Sequence, residues 1–160
     1  MLDDPVAYLD NACVTLKPQS VIDSIQDYYI NTPGCGGRSV HRYGTHVSKS
    51  ISQSRKKLAN FFSAPSVNEI VFTRNATHSL NQIAKGLEWN KGDVVLTTDR
   101  EHNSNLVPWL QLEQEQGIDH RVVRSNQDNT FNLESFEEAC AEAGTKLKMV
   151  SMSHVGNLDG

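Results

Sequence analysis

Beyond residue 68, the hydrophobic residues alternate between two spacings along the chain. Short apolar runs typical of buried strands are separated by longer segments in which apolar residues recur every three or four positions, as on one face of a helix. The predicted strands are EIVFT, DVVLTT, HRVVR and LKMVSMS, and the predicted helices are THSLNQIAKGL, NLVPWLQLEQEQG and NLESFEEACAEAG. This alternation predicts an α/β fold, with a mostly parallel sheet carrying helices on both faces in three layers.

The part of the chain before these elements has a different pattern. It contains a predicted opening strand, AYLDNA, and two predicted helices, PQSVIDSIQDYYIN and VSKSISQSRKKLANFF. The glycine-rich segment between the helices, TPGCGGRSVHRYGTH, fits neither period and is expected to form an ordered loop. We therefore predict an N-terminal arm with helices and a loop over residues 1–62, followed by the first part of a larger α/β domain over residues 63–160.

Composition narrows the function classes. The formal net charge is -4 and basic residues form no long run, which argues against a nucleic-acid partner. No apolar stretch is long enough to span a bilayer, and the first residues lack the pattern of a secretory signal, so the expected location is the cytoplasm. The chain has 3 cysteines at wide spacing, as in a protein with reduced thiols. Cys35, His41 and His46 do not match the spacing of a standard metal site.

Polar segments follow three of the predicted strands. RNATHS follows EIVFT, DREHNSN follows DVVLTT, and HVGN follows LKMVSMS. In open α/β sheets, ligands bind beyond the carboxyl ends of the strands, so these three segments are expected to meet at one edge. A ligand site is therefore predicted there.

The individual residues of these segments each allow two interpretations. Asn75, Ala76 and Thr77 lie where a strand turns into a helix, so their N–H groups suit a phosphate, although Asn75 or Thr77 could equally cap the helix. The next helix is expected to be capped by Asn103 or Ser104. His102 offers a flat ring to an aromatic ligand, or is a solvated loop histidine. Asn157 offers both a donor and an acceptor to a ligand oxygen, or belongs to a turn.

Taken together, these motifs resemble those of the class V aminotransferases. YLDNA, SVHR, EIVFTRNATHSLNQIA, EHNSNLVPW and SHVGNLDG occur in the order and spacing of that family, and the resemblance runs from about residue 7 to residue 160. It is greatest to the branch of cysteine desulfurases and selenocysteine lyases. The resemblance implies the N-terminal part of the large domain of a fold type I enzyme that uses pyridoxal 5'-phosphate (PLP).

The resemblance also implies roles for named residues. Ala76 and Thr77 match the pair that binds the phosphate, His102 the histidine that stacks on the pyridine ring and assists proton transfer, and Asn157 the asparagine that binds the phenolic oxygen. The residues matching the substrate pocket and its mouth are Asn11, Ala12, His41 and Arg42. The chain departs from the family where Ala76 replaces a frequent threonine and His78 a common glutamate, and RYGTH differs from the usual desulfurase loop.

In this family, the Schiff-base lysine, an aspartate at the pyridine nitrogen, a substrate-binding arginine and the nucleophilic cysteine of desulfurases all come from later parts of the chain. None of Lys85, Lys91, Lys146 and Lys148 sits in the motif of the Schiff-base lysine. We therefore expect the first part of a cysteine desulfurase that converts L-cysteine to L-alanine and leaves a persulfide. The complete enzyme would be a homodimer and would pass this sulfur to an acceptor protein. The 160-residue chain by itself would be inactive.

Other interpretations remain open at this stage. The complete protein could be another class V member, such as a transaminase, an epimerase or a selenocysteine lyase. The chain could also be a non-catalytic fragment that binds a phosphate or a partner weakly. A nucleotide-binding domain is disfavoured because neither GxGxxG nor GxxxxGKS/T follows a predicted strand.

Overall fold

The computed structural model describes residues 7–157. The chain divides into two compact units, Met1–Phe72 and Thr73–Gly160, which are described separately below. The predicted division into residues 1–62 and 63–160 stays a prediction.

The first unit is helical. It contains helix α1 (Gln19–Asn31), helix α2 (Arg42–Phe61) and a 3₁₀ turn at Val67–Glu69. Helix α2 begins inside the segment predicted to be a loop, so that part of the prediction is wrong. A Cβ atom on Gly44 would lie 2.5 Å from the Cβ atom of Ser39 and 2.7 Å from its carbonyl oxygen. Glycine therefore lets the first turn of α2 pack against the preceding chain, which the period of the apolar residues does not reveal.

The second unit is an α/β layer structure. Its elements are helix α3 (Ala76–Gly86), strand β1 (Val94–Thr98), helix α4 (Asn103–Gln116), strand β2 (Asp119–Val123), helix α5 (Leu133–Ala143), a 3₁₀ turn at Gly144–Lys146 and strand β3 (Leu147–Val150). The three strands are parallel in the order β2-β1-β3, so β1 is central. The strands predicted for DVVLTT, HRVVR and LKMVSMS and the three helices of this unit are confirmed.

Both faces of the sheet are covered, as predicted. On one face, Val95 packs in a cluster with Ala84 of α3, with Trp109 and Leu112 of α4, and with Ile118. On the opposite face, the side chains of Val94 and Leu96 pack against α5. Successive residues of a strand point to opposite faces, so a fully buried run such as VVL requires a helix layer on each side.

Two predicted strands are absent from the described residues. AYLDNA has no regular structure at its start and leads into a turn, in which the N–H groups of Cys13 and Val14 donate to the carbonyl oxygen of Asp10 at 3.2 and 3.1 Å. EIVFT lies partly in a 3₁₀ turn and is then irregular, with Val71 70% exposed and Phe72 48% exposed. A strand requires a hydrogen-bonded neighbour, and within residues 7–157 neither segment has one.

Candidate functional site

The loops after β1 and β3 leave the sheet side by side. Leu96 of β1 is opposite Val150 of β3, and the N–H of Ser151 donates to the carbonyl oxygen of Leu96 at 2.9 Å. The loop after β1 carries Glu101 and His102, and the segment after β3 runs through Ser153 to Asn157. Two of the three predicted polar segments are therefore neighbours at the carboxyl edge of the sheet.

The carboxylate of Glu101 joins these two segments directly. The backbone N–H of Ser153 donates to both carboxylate oxygens, at 3.0 and 3.1 Å, and the hydroxyl of Ser153 donates to Oε2 at 2.9 Å. The hydroxyl of Thr98, at the end of β1, donates to Oε1 at 2.7 Å. Partial burial raises the pKa of Glu101, but the hydrogen bonds from Asn105, Thr98 and Ser153 lower this pKa by more, so the carboxylate is stabilised in its charged form.

Asn105 continues this network into the core. Its side-chain amide donates to Oε2 of Glu101 at 2.7 Å and to the carbonyl oxygen of Ser151 at 3.1 Å. Its side-chain oxygen accepts from the indole N–H of Trp109 at 3.2 Å and from the hydroxyl of Ser151. Asn105 is buried, and these bonds satisfy its amide, so the first turn of α4 is fixed to the segment after β3.

His102 is the N-terminal cap of α4. Its Nδ1 accepts the backbone N–H of Ser104 at 3.0 Å and lies 2.9 Å from the Ser104 hydroxyl oxygen. The prediction that Asn103 or Ser104 caps this helix is therefore wrong, because the imidazole nitrogen takes the place of the usual side-chain oxygen. Accepting at Nδ1 places the proton of the neutral ring on Nε2. The residue is exposed, so the ring is fixed at one nitrogen and accessible elsewhere.

The first turn of α3 has an ordinary cap and, among the described residues, two N–H groups without a hydrogen-bond partner. Oδ1 of Asn75 accepts the N–H of His78 at 2.8 Å, which confirms the capping interpretation for Asn75. Within residues 7–157, the backbone N–H groups of Ala76 and Thr77 donate no hydrogen bond, and both residues are exposed. The start of an α-helix carries a partial positive charge, so these two donors suit an anion.

Helix α3 runs from the carboxyl edge of the sheet towards its amino edge. At its last turn, the carbonyl oxygen of Ala84 accepts the indole N–H of Trp89 at 2.7 Å. The Nζ of Lys148 lies 5.2 Å from the Trp89 ring and 2.8 Å from Oδ2 of Asp93, at the starts of β3 and β1. At a rise of 1.5 Å per residue, the first turn of α3 is about 12 Å from Ala84. Helix α3 packs along α4, and α4 begins at the carboxyl edge of the sheet and runs towards the amino edge. Ala76 and Thr77 are therefore placed on the carboxyl-edge side.

The remaining predicted residues are divided between the two units. Asn157 is exposed, at the end of the described segment after β3. Asn11 and Ala12 lie in the turn of the first unit. His41 caps α2 by accepting the N–H of Gly44 at 3.4 Å, and Arg42 is the first residue of that helix. The predicted role of Asn11, Ala12, His41 and Arg42 at the substrate pocket and its mouth stays a prediction.

The sequence-based reasoning missed Glu101 and Asn105. A signal for both was present, because a charged residue stands between a buried strand and a helix whose first turn carries an asparagine. The partner on the segment after β3 could not be identified from the sequence, since it depends on the register between β1 and β3.

Two further features of the described residues bear on function. Over residues 7–157, no three histidine, cysteine, aspartate or glutamate side chains are grouped so that they could hold a metal ion. None of the helices in the same range has the length and apolar character needed to cross a bilayer.

Comparisons with known proteins agree on one family. The sequence model of the family described as aminotransferase class-V matches residues 7–160. A probable cysteine desulfurase from Synechocystis sp. is 35% identical over 159 residues, which are 98% of this chain and 37% of the relative. The solved apo cysteine desulfurase from Thermococcus onnurineus NA1 has a TM-score of 0.83 and 31% identity, covering 92% of this chain and 36% of that one.

A more distant solved structure is also similar. The cystine C–S lyase C-DES, in complex with its reaction product cysteine persulfide, has a TM-score of 0.71 and 25% identity, covering 86% of this chain and 35% of that one. A C-DES variant has been solved with glycine covalently linked to its PLP cofactor. This chain thus spans 35% to 37% of the length of the relatives named here.

Proposed function

The chain belongs to the class V aminotransferase family, and on that premise we propose that it is the N-terminal part of a PLP-dependent cysteine desulfurase. The name shared by the relatives from Synechocystis and Thermococcus supports the desulfurase assignment. The presence of a PLP cofactor in C-DES supports the choice of cofactor. When bound, PLP supplies an electron sink that stabilises negative charge at the Cα atom of an amino acid.

The residues at the carboxyl edge have the chemistry that this cofactor requires. We assign the phosphate to the N–H groups of Ala76 and Thr77 and to the Thr77 hydroxyl, because these donors lie at the positive end of α3 and the two N–H groups have no partner within residues 7–157. The exposed amide of Asn157 is assigned to the phenolic oxygen of the ring. The donor set fits a phosphorylated aromatic ligand.

We assign His102 to the face of the pyridine ring. Its Nδ1 is held by the N–H of Ser104, so the imidazole cannot rotate freely about its Cβ–Cγ bond. The proton on Nε2 is then available for transfer at the reacting carbon of the substrate. The cap of α4 and the proposed stacking role therefore use different parts of the same ring.

One observation carries this proposal. Ser153 donates to Glu101 with its N–H at 3.0 Å and with its hydroxyl at 2.9 Å, which holds the segment leading to Asn157 beside the loop of His102. A ligand that touches both His102 and Asn157 needs these two segments at a fixed separation. The contacts of Glu101 provide that constraint from within the chain.

The remaining parts of the proposal concern the complete protein. We propose L-cysteine as substrate, with Asn11, Ala12, His41 and Arg42 at the pocket and its mouth, and a Schiff-base lysine outside the described residues. The thiolate of a cysteine on the enzyme takes the substrate sulfur as a persulfide, and the remaining carbon skeleton leaves as alanine. The protein acts as a cytoplasmic homodimer that passes the sulfur to an acceptor protein. The free thiols of Cys13, Cys35 and Cys140 suit a reducing compartment.

The likeness to C-DES favours a C–S lyase as the second candidate. That enzyme is a cystine C–S lyase whose product is cysteine persulfide, whereas a desulfurase forms alanine from cysteine. The full-length gene product, purified with PLP, should show a visible absorption band of bound cofactor and should release alanine and, with a thiol reductant, sulfide from L-cysteine. Cysteine persulfide from cystine without alanine from cysteine would favour the lyase. A protein that takes up no PLP would contradict both assignments.

A further inference from the structure

Glu101 lies at the centre of the contacts between three elements of the second unit. Its carboxylate accepts hydrogen bonds from the end of β1 through Thr98, from the first turn of α4 through Asn105, and from the segment after β3 through Ser153. The donors all carry no net charge, and none of the ion pairs found within residues 7–157 includes Glu101. The charged group is therefore balanced by hydrogen bonds and by the positive end of α4.

These contacts exclude two other roles for Glu101. Both carboxylate oxygens already accept hydrogen bonds, with Thr98 and the Ser153 N–H on Oε1, and Asn105 and the Ser153 hydroxyl on Oε2. The same bonds hold its pKa below the ordinary value, so it is a poor proton acceptor near neutral pH. A general base or a cation ligand needs a free lone pair, which this carboxylate does not offer.

We propose that Glu101 is the positioning residue of the cofactor site, setting the separation between the ring-stacking His102 and the Asn157 amide through Ser153. This inference rests on the proposed function, because it assigns those two residues to the two sides of a PLP ring. His102 follows Glu101 directly in the chain, and Asn157 lies beyond Ser153 on the same segment. Displacing Ser153 would therefore move Asn157 while the cap of α4 by His102 stays in place.

Asp99 provides a matched control for Glu101. It stands at the same end of β1 and also accepts from a single serine, with the N–H of Ser125 at 3.1 and 3.2 Å and the Ser125 hydroxyl at 2.6 Å. That serine belongs to the connection between β2 and α5, which carries none of the assigned cofactor residues. The two carboxylates differ in which segment they hold.

The test compares Glu101→Gln and Asp99→Asn in the full-length gene product. Gln keeps the shape of Glu but directs an NH₂ group at donors, so one contact with Ser153 or Asn105 is lost. Hydrogen exchange of the PLP-free protein should show faster exchange over residues 151–157 in E101Q and an unchanged rate there in D99N. Retitration with PLP should give an apparent Kd raised about tenfold in E101Q and an altered circular dichroism of the visible cofactor band. D99N should match the wild type in both cofactor readouts.

The outcomes separate the two proposals. If the wild type binds PLP and E101Q keeps the wild-type exchange rate, PLP affinity and dichroism, Glu101 is not a positioning residue. The same conclusion follows if D99N and E101Q change these readouts equally, because the effect is then general destabilisation. If the wild type takes up no PLP, the proposed function fails, and the hydrogen exchange alone then decides whether Glu101 holds the segment. The double variant E101Q with Ser153→Ala should have a PLP Kd raised over the wild type by less than the product of the two single fold-changes, because both substitutions break the same contact.

Discussion

The hydroxyl oxygen of Thr97 lies 2.9 Å from Nε2 of His120, and this contact joins β1 to β2 on the face that α4 covers. Thr97 is fully buried, and the backbone N–H of His120 lies 3.3 Å from Oε1 of Glu113 on α4. Burial lowers the pKa of His120, and the charges of Glu113 and Asp119 raise this pKa by less, so the folded state favours the neutral ring. The half-buried imidazole of His120, bonded to a buried threonine, therefore makes the stability of this unit depend on pH.

The pH dependence has a defined sign. A histidine whose pKa is lowered in the folded state binds more protons when unfolded, so its contribution is fully present above the unfolded pKa of about 6.5. Stability is lost as the pH falls from there through the lower folded pKa. The melting temperature of the full-length gene product should fall over this range, and His120→Gln should reduce that fall. His154→Gln, in the exposed segment after β3, should leave the fall unchanged; an H120Q profile identical to that of the wild type would contradict this assignment.

Substitutions of His102 should separate the cap of α4 from ring stacking. Asparagine is a good N-cap residue, so His102→Asn should change the free energy of unfolding by less than about 0.5 kcal/mol, whereas His102→Ala should cost about 1 kcal/mol. Both variants should shift the visible band of bound PLP, because neither side chain offers an aromatic ring. Denaturant unfolding and absorption spectroscopy measure the two effects. An H102N variant with the wild-type cofactor spectrum would show that the imidazole only caps the helix.

Substitutions at the start of α3 should affect the phosphate. Thr77→Val removes the hydroxyl donor and should weaken PLP binding roughly fivefold to tenfold, and Thr77→Ser should stay close to the wild type. Ala76→Thr adds a hydroxyl at an exposed position and should strengthen binding. Asn75→Ala should lower stability by about 1 kcal/mol through loss of the cap to His78. Equal PLP affinity in T77V and T77S would remove Thr77 from the proposed site.

Lys148 should not react with the cofactor. Its Nζ contacts Oδ2 of Asp93 at 2.8 Å, donates to the carbonyl oxygen of Glu88 and lies over the Trp89 ring, at the starts of β1 and β3. Borohydride reduction of the PLP-loaded protein, followed by peptide mapping, should therefore place the pyridoxyl group on a lysine outside residues 7–157. Lys148→Met should lower stability by up to about 1 kcal/mol without loss of the cofactor. A pyridoxyl group on Lys85, Lys91, Lys146 or Lys148 would contradict the account.

The sequence predicted the second unit well because its local signals and its packing agree. The run VVL needs cover on both faces, and α4 and α5 supply it, so the period of the apolar residues is sufficient to assign β1. EIVFT has the same apolar character, but within residues 7–157 no neighbouring strand bonds to it, and hydrophobicity alone does not create a ladder. The early start of α2 depends on Gly44 packing against Ser39, which has no local signature.

The sequence predicted which segments form the candidate site, but it did not predict which of their residues are in contact. The rule that ligands gather at the carboxyl ends of parallel strands correctly brings the segments after β1 and β3 together. The cap of α4 was misassigned because histidine is an unusual cap residue. The hydrogen bonds from Ser153 to Glu101 follow from the register of β1 and β3, a tertiary property that one sequence does not encode locally.

The most direct test of the central claim is a crystal structure of the full-length gene product with PLP bound. The account predicts the phosphate on the N–H groups of Ala76 and Thr77, the pyridine ring against the imidazole of His102, and the amide of Asn157 within hydrogen-bond distance of the phenolic oxygen. PLP bound elsewhere, or a site in which His102 and Asn157 do not contact the same ring, would contradict it.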